Sequence, residues 1–404
     1  MRCLRGVSLV EMMVALAVGG IVVLGLAEIL ASTKATYSRE EAFARLQENG
    51  RIAAMMLAKG MRPSRSTDCK SIAMHQEQGT LTVKACDLLE GGCALGNTHY
   101  LDIDRALGYD QTQGLTSAGA FSDLPQGIAG NIADRYVGGD VLVTWGIDPE
   151  GHAVDGGLGT DGTDDIQLVD TPDDTLDAEL ALISNCQHAH VFEVDGINGS
   201  SVGHAGDANA VSHLRAEDLY GGPAPYNREA GDPRAMLYPL VFRVYYVCCV
   251  GDGSLQTGSG RDNCRVTADG DPAPDGYRPA LCVYDRQDGD GDTEVLVPNV
   301  ADMRITYSGD TDGDGETDFR NEDADTVSTD AKWASVRAAS VELLLTTEAD
   351  NTATDASAPT QADWPPSADA DDRLGAAYPA DNRLYQRFRF DVALRPATPW
   401  AIWE

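Results

Sequence analysis

The sequence predicts an α+β fold in which one long N-terminal helix packs on a large antiparallel β-sheet domain with long loop insertions. Three observations predict it. An uncharged apolar run from Met12 to Ala27 lies inside an apolar stretch covering residues 7–31, long enough to cross a bilayer as a helix. Helix signals then persist without a proline until Pro63. Past Pro63 the chain changes to β-branched or alternating segments bounded by Gly, Pro, Asp and Asn.

The helix comes first. Its polar continuation places Phe43, Leu46, Ala53, Met56 and Leu57 at helical spacing, with Arg39, Glu40, Glu41, Arg45, Glu48 and Arg51 between them. One helix over about residues 7–62 would be roughly 80 Å long at 1.5 Å per residue, its first part in lipid and its second on a globular head. A cleaved secretory signal fits less well, because no turn cluster follows the apolar core. Gly19, Gly20 and Gly25 make the apolar half continuous but locally weak.

The strands follow in order: GTLTVKA from 79, DVLVTWG from 140, HVFEVDG from 190, LVFRVYYVCCV from 240, ALCVYDR from 280, EVLVPNVADMRITYSG from 294, WASVRAASVELLLTT from 333 and YQRFRFDVALRP from 385. Polar tracts at 146–178 and 349–382 read as ordered loops or insertions, not as further core.

With 404 residues and 43% hydrophobic content, the chain can bury a substantial core and is not disordered. Its 64 acidic against 30 basic residues leave a net charge of −34, which repels nucleic acid. Such a surface fits a saline habitat or neutralisation by divalent cations; the plainer reading is a solvated acidic surface. No G-x-S-x-G elbow, phosphate-binding loop, H-E-x-x-H or Cys/His nucleophile pair is expected, so the chain is not expected to be an enzyme.

Nine cysteines are present, and Cys3 stands apart from the rest. Cys69, Cys86, Cys93, Cys186, Cys248, Cys249, Cys264 and Cys282 form an even set suited to disulfides in an oxidising compartment, with pairing undetermined by sequence. Zinc is the competing use, but no C-x-x-C spacing supports it.

Two Asp-Gly runs have the order of calcium loops. In DTDGDGETD the oxygen ligands are Asp310, Asp312, Asp314, the Glu316 backbone and Asp318, with glycines allowing the tight turn. The twelfth position of a full EF-hand loop would be Asn321 in place of a bidentate Glu, so the site would be a calcium loop on a β scaffold. Asp288, Asp290 and Asp292 repeat the alternation more weakly, and an acidic hairpin turn explains either run without a metal. His188 and His190 would share one strand face, with no third ligand nearby.

The N-terminus carries a resemblance. A basic leader ending in Gly6, followed by an apolar helix with Glu11 at its fifth residue, resembles the type IV prepilin family. LQENGR within the helix, ISNCQHAHVFEV, EVLVPNVADMRITYSGDTDGDG, WASVRAASVELLLTT and FRFDVALRP resemble landmarks of PilW-type minor pilins. The resemblance implies a type IV pilin-like fold and four segments. These are a leader peptide over 1–6, a transmembrane and assembly helix over 7–31, an amphipathic continuation over 32–62, and a β-rich head over 63–404 with insertions near 100–180 and 349–382.

The resemblance also implies cleavage between Gly6 and Val7 by a prepilin peptidase and N-methylation of Val7, although Val7 stands where many pilins carry phenylalanine. Arg2 and Arg5 would hold the leader in the cytoplasm and leave the head periplasmic. Glu11 then acquires a physical role. An ionised carboxylate in hydrocarbon is costly without a cation, and the amine freed at Val7 lies at the same depth, on its own or a neighbouring subunit. The alternative is that Glu11 only complements the helix dipole. The expected function is that of a minor pilin taking part in pilus assembly at the initiation or tip complex, and hence in twitching motility and adhesion. A J-type pseudopilin of type II secretion and a tip-exposed adhesin or binding module are the alternatives. Implied partners are other minor pilins, the major pilin, the prepilin peptidase, the inner-membrane assembly platform and a tip adhesin; the implied location is the inner membrane, then the pilus surface.

Overall fold

The computed structural model describes residues 9–62, 66–67, 70–71, 132–147, 150–156, 164–172, 180–184, 189–204, 235–264, 276–285, 292–330, 332–347 and 383–394. Helix α1 covers Leu9–Met61, 53 residues. Strand β1 is Ser66–Thr67, β2 Lys70–Ser71, β3 Tyr136–Ile147, β4 His152–Gly156, β5 Ile166–Leu168, β6 Leu180–Ser184, β7 Ala189–Glu193, β8 Ile197–Asn198 and β9 Ser201–Val202. Then come β10 Met236–Gly251, β11 Ser254–Leu255, β12 Tyr277–Asp285, β13 Asp292–Pro298, β14 Val300–Gly309, β15 Phe319–Glu322, helix α2 Ala324–Thr329, β16 Val336–Thr346 and β17 Tyr385–Ala393. The fold is a long apolar helix followed by an antiparallel β-sheet head.

Strand β10 organises the larger sheet. It pairs with β12 from Arg243↔Asp285 to Gly251↔Tyr277 and with β3 from Leu240↔Ile147 to Cys248↔Tyr136, while its first four residues pair with β6 and β4. A sixteen-residue strand therefore serves two sets of neighbours along its length. A second sheet runs β15-β14-β16-β17, with β16 and β17 in unbroken register from Ala338↔Ala393 to Thr346↔Tyr385.

The two sheets join where β3 crosses β14. Gly139 adopts φ +81°, and a Cβ there would lie 2.7 Å from Asp302 Oδ1 and 3.0 Å from the Met303 backbone, so only glycine allows this approach. Asp140, buried next to it, accepts from the Ile305 amide at 2.7 Å.

The main core lies between the sheets and the second half of α1. Leu46, Ala53, Leu57 and Met61 pack there with Tyr245, Leu281, Met303, Ile305, Val341 and Leu343. Trp333 is buried against Tyr307, edge-on at 4.8 Å, and its indole N–H donates to Ser328 Oγ at 2.9 Å. Each buried side chain of this size stabilises the fold by about 2 kcal/mol or more.

A separate smaller core corrects one expectation. Residues 146–178 were expected as loop, yet they contain β4 and β5, whose Val154, Ile166 and Leu168 are buried with Ile183, Phe192, Val202 and Leu237. The acidic and glycine-rich flanks hide these strands because β5 is only three residues long, too short for alternation to register. The GTLTVKA segment and residues 100–131 and 349–382 lie outside the described residues.

Candidate functional site

The N-terminal half of α1 stands free of the head. Leu9, Val10, Met12, Met13, Leu16, Ile21, Leu24 and Leu30 are all exposed, and the helix is long and apolar enough to cross a membrane. Glu11 sits in its first turn, on a helix whose other early residues are apolar. Gly6 and Val7 lie outside the described residues.

The second half of α1 is seated on the head by small residues. Gly50 lies beneath Phe388 of β17 and Leu345 of β16: a Cβ would stand 2.6 Å from the phenyl ring and 3.0 Å from the leucine methyl. Gly60 lies beneath the Tyr245 hydroxyl. Between them Ala53 is fully buried. Asn49 donates its side-chain amide to the Pro298 carbonyl at 3.2 Å, tying the helix to the end of β13. The Asn-Gly pair inside LQENGR is thus a docking element, one residue bonding the head and the next allowing contact.

Among the described residues two disulfides cross-link the head. Cys248 bonds Cys282 across β10 and β12, and Cys249 bonds Cys264 on the 3-10 helix Gly258–Cys264, with Cα separations of 5.8 and 5.5 Å. Neighbouring residues on a strand face opposite sides, so adjacent cysteines serve different partners. Cys69, Cys86, Cys93 and Cys186 lie outside the described residues.

The acidic loop between β14 and β15 gathers three carboxylates. Oxygens of Asp310, Asp312 and Asp314 lie within 4.8 Å of one another and can hold a cation. Asp310 is buried and accepts from the Gly313 and Gly315 amides at 2.6 and 3.1 Å. Asp318 turns to Thr311, accepting from its hydroxyl and, at 2.7 Å, its amide; these bonds hold the carboxyl below its ordinary range. The Glu316 amide bonds Asp314 at 2.7 Å. The expected five-residue set is therefore three clustered carboxylates plus a side-chain clasp. Asp288 and Asp290 lie outside the described residues, as does His188, and Asp292 begins β13 opposite Asp285. Nearby, Lys332 is raised above its usual range by Asp330, at 2.7 Å, and Glu322.

The expectation of no G-x-S-x-G elbow needs one correction, since the spacing itself does occur in the sequence. Residues 199–203 spell G-x-S-x-G, but Ser201 belongs to a β-hairpin with β8 and not to a strand-to-helix elbow. Its hydroxyl donates to Asp165 at 2.9 Å and accepts from Gln167 at 2.9 Å, a structural bridge between β5 and β9.

Comparison with known proteins agrees with the ends of the chain. The family model described as Type IV Pilus-assembly protein W matches residues 266–396, and the prokaryotic N-terminal methylation motif matches residues 1–27. The first match spans β12 to β17, including the acidic loop and the β17 side of the Gly50 seat. LQENGR and ISNCQHAHVFEV lie outside both matches. No curated protein and no solved structure matches the chain. The two family matches support a PilW-type type IV pilin, a class of pilus component and not of enzyme.

Proposed function

We propose that this PilW-type pilin is a minor pilin, cleaved after Gly6, N-methylated at Val7, and inserted by Glu11 into the initiation or tip complex of a type IV pilus. The observation that carries the reading is the division of α1: an exposed apolar half bearing one carboxylate in its first turn, and a second half fixed to the head. An apolar helix with a methylation motif anchors through its N-terminus, and pilus components are its partners. The head lies in the periplasm before assembly and on the pilus surface afterwards. Other minor pilins, the major pilin, the prepilin peptidase and the assembly platform are the partners this requires. Deleting the gene is expected to abolish surface pili and twitching with type II secretion intact; lost secretion with intact pili would instead make the chain a J-type pseudopilin.

A second reading concerns the small core of β4 to β9. Among the described residues it is attached through the first residues of β10 and shares no residue with the main core that holds α1. That separation favours a projecting module able to contact a surface or a tip adhesin.

The acidic loop is proposed as a calcium site built on Asp310, Asp312 and Asp314. Hard cations take carboxylate oxygens at this spacing, and the −34 charge of the chain makes neutralisation favourable. Calorimetry with calcium should give a saturable heat that Asp312→Asn/Asp314→Asn removes. No heat at millimolar calcium would retire the site.

A further inference from the structure

The outward face of the docked half of α1 runs against the charge of the chain. Arg51, Met55, Lys59 and Arg62 follow one another at i, i+4, i+8 and i+11, which puts them on one stripe. The stripe lies opposite Gly50, Ala53, Leu57 and Met61, which bury the other side against the head. All four stripe residues are exposed, Met55 by 64%. No acidic residue occurs between Arg51 and Arg62. Among the described residues none of the three cations forms a salt bridge, whereas Arg45, one and a half turns earlier, is paired with Glu41. Acidic residues outnumber basic ones 64 to 30 here, so three consecutive unpaired cations around an exposed thioether are a local reversal of the surface.

We propose that this stripe is the docking surface for an acidic protein face on a neighbouring subunit of a different sequence. The inference rests on the pilin reading above and names the chemistry of one of its contacts. A lipid headgroup is too far away: at about 1.5 Å per residue, Arg51 stands roughly 30 Å beyond residue 31, where the apolar segment ends. Nucleic acid meets the repulsion of the −34 chain as it approaches. A second copy is disfavoured for the same reason, since two such heads repel across their facing surfaces. A less charged neighbour with a local acidic patch gains the cations without that repulsion. Met55 supplies an adaptable apolar contact at the centre, with charges around it setting partner and register.

Zero-length carbodiimide cross-linking tests this in membranes from cells making the full-length chain. The reagent joins a lysine amine to a touching carboxylate as an amide, the water being taken up as urea. Lys59 is the reporter on the stripe. Lys332, whose Nζ lies 2.7 Å from Asp330 and 2.9 Å from Glu322, supplies an intrachain control in the same sample. The expected result is an amide between Lys59 and an Asp or Glu of a different protein. That product should fall at least about tenfold in Arg51→Glu/Arg62→Glu, which keeps Lys59, while the Lys332 product is unchanged. Arg51→Lys/Arg62→Lys should retain it. A Lys59 that stays free, links to this chain's own sequence, or links equally well in the charge-reversed variant overturns the proposal. If the heterotypic link forms but the chain is missing from filaments, the pilin reading falls and the docking surface stands.

Discussion

Replacing Gly50 by valine is expected to cost about 1–3 kcal/mol and to loosen the helix from the head, because the added carbons meet the Phe388 ring and Leu345 inside van der Waals distance. A Cβ alone would stand 2.6 Å from Phe388. Gly50→Ala sets two effects against each other: the same ring contact, and a gain in helix propensity of about 1 kcal/mol. Alanine should therefore lie near neutral and valine well below it. The Phe388→Leu change should recover part of the valine loss by withdrawing the ring. Thermal unfolding of the detergent-solubilised full-length chain reads this series. Equal stability of the valine variant and the parent would show that the seat does not bind the helix closely.

Replacing Glu11 by alanine is expected to leave membrane insertion and cleavage unchanged and to lower incorporation into filaments at least about tenfold, since breaking a buried ion pair costs about 3–5 kcal/mol. On the proposed reading the penalty falls on assembly, because the amine that Glu11 would engage would be freed by cleavage and offered at the same depth by a neighbouring helix. The Glu11→Gln variant separates charge from shape and should fail like alanine. Wild-type levels of either variant in sheared filaments would leave Glu11 with a role at the helix dipole alone.

The helix and the main strands were legible because each is long and has a clean period. Leu46, Ala53 and Leu57 repeat at helical spacing, and the segment LVFRVYYVCCV falls within the sixteen-residue strand β10. Segments quoted as single strands were nearly right: EVLVPNVADMRITYSG is two strands broken at Asn299, which adopts φ 63°. What stayed hidden was either short or tertiary. Strand β5 carries three residues, and its burial depends on β9 and β4, which lie far from it in sequence or across a glycine-rich stretch of sequence. The cysteine pairs could not be assigned from spacing, since Cys248 and Cys249 reach partners 34 and 15 residues away through sheet geometry. Gly50 could be read only as part of a motif; its reason, the ring of Phe388, comes from the far end of the chain. In the acidic loop Asp310, Asp312 and Asp314 lie together, while Asp318 bonds Thr311, a competition between side-chain hydrogen bonding and clustering that spacing does not express.

The central claim is that the N-terminus of this chain is remade before it assembles. Intact mass analysis of the chain recovered from sheared filaments tests it most directly. The account predicts a species that begins at Val7 and carries one added methyl group. A chain in filaments that still begins at Met1, or a chain found only in membranes of a normally piliated cell, would contradict it.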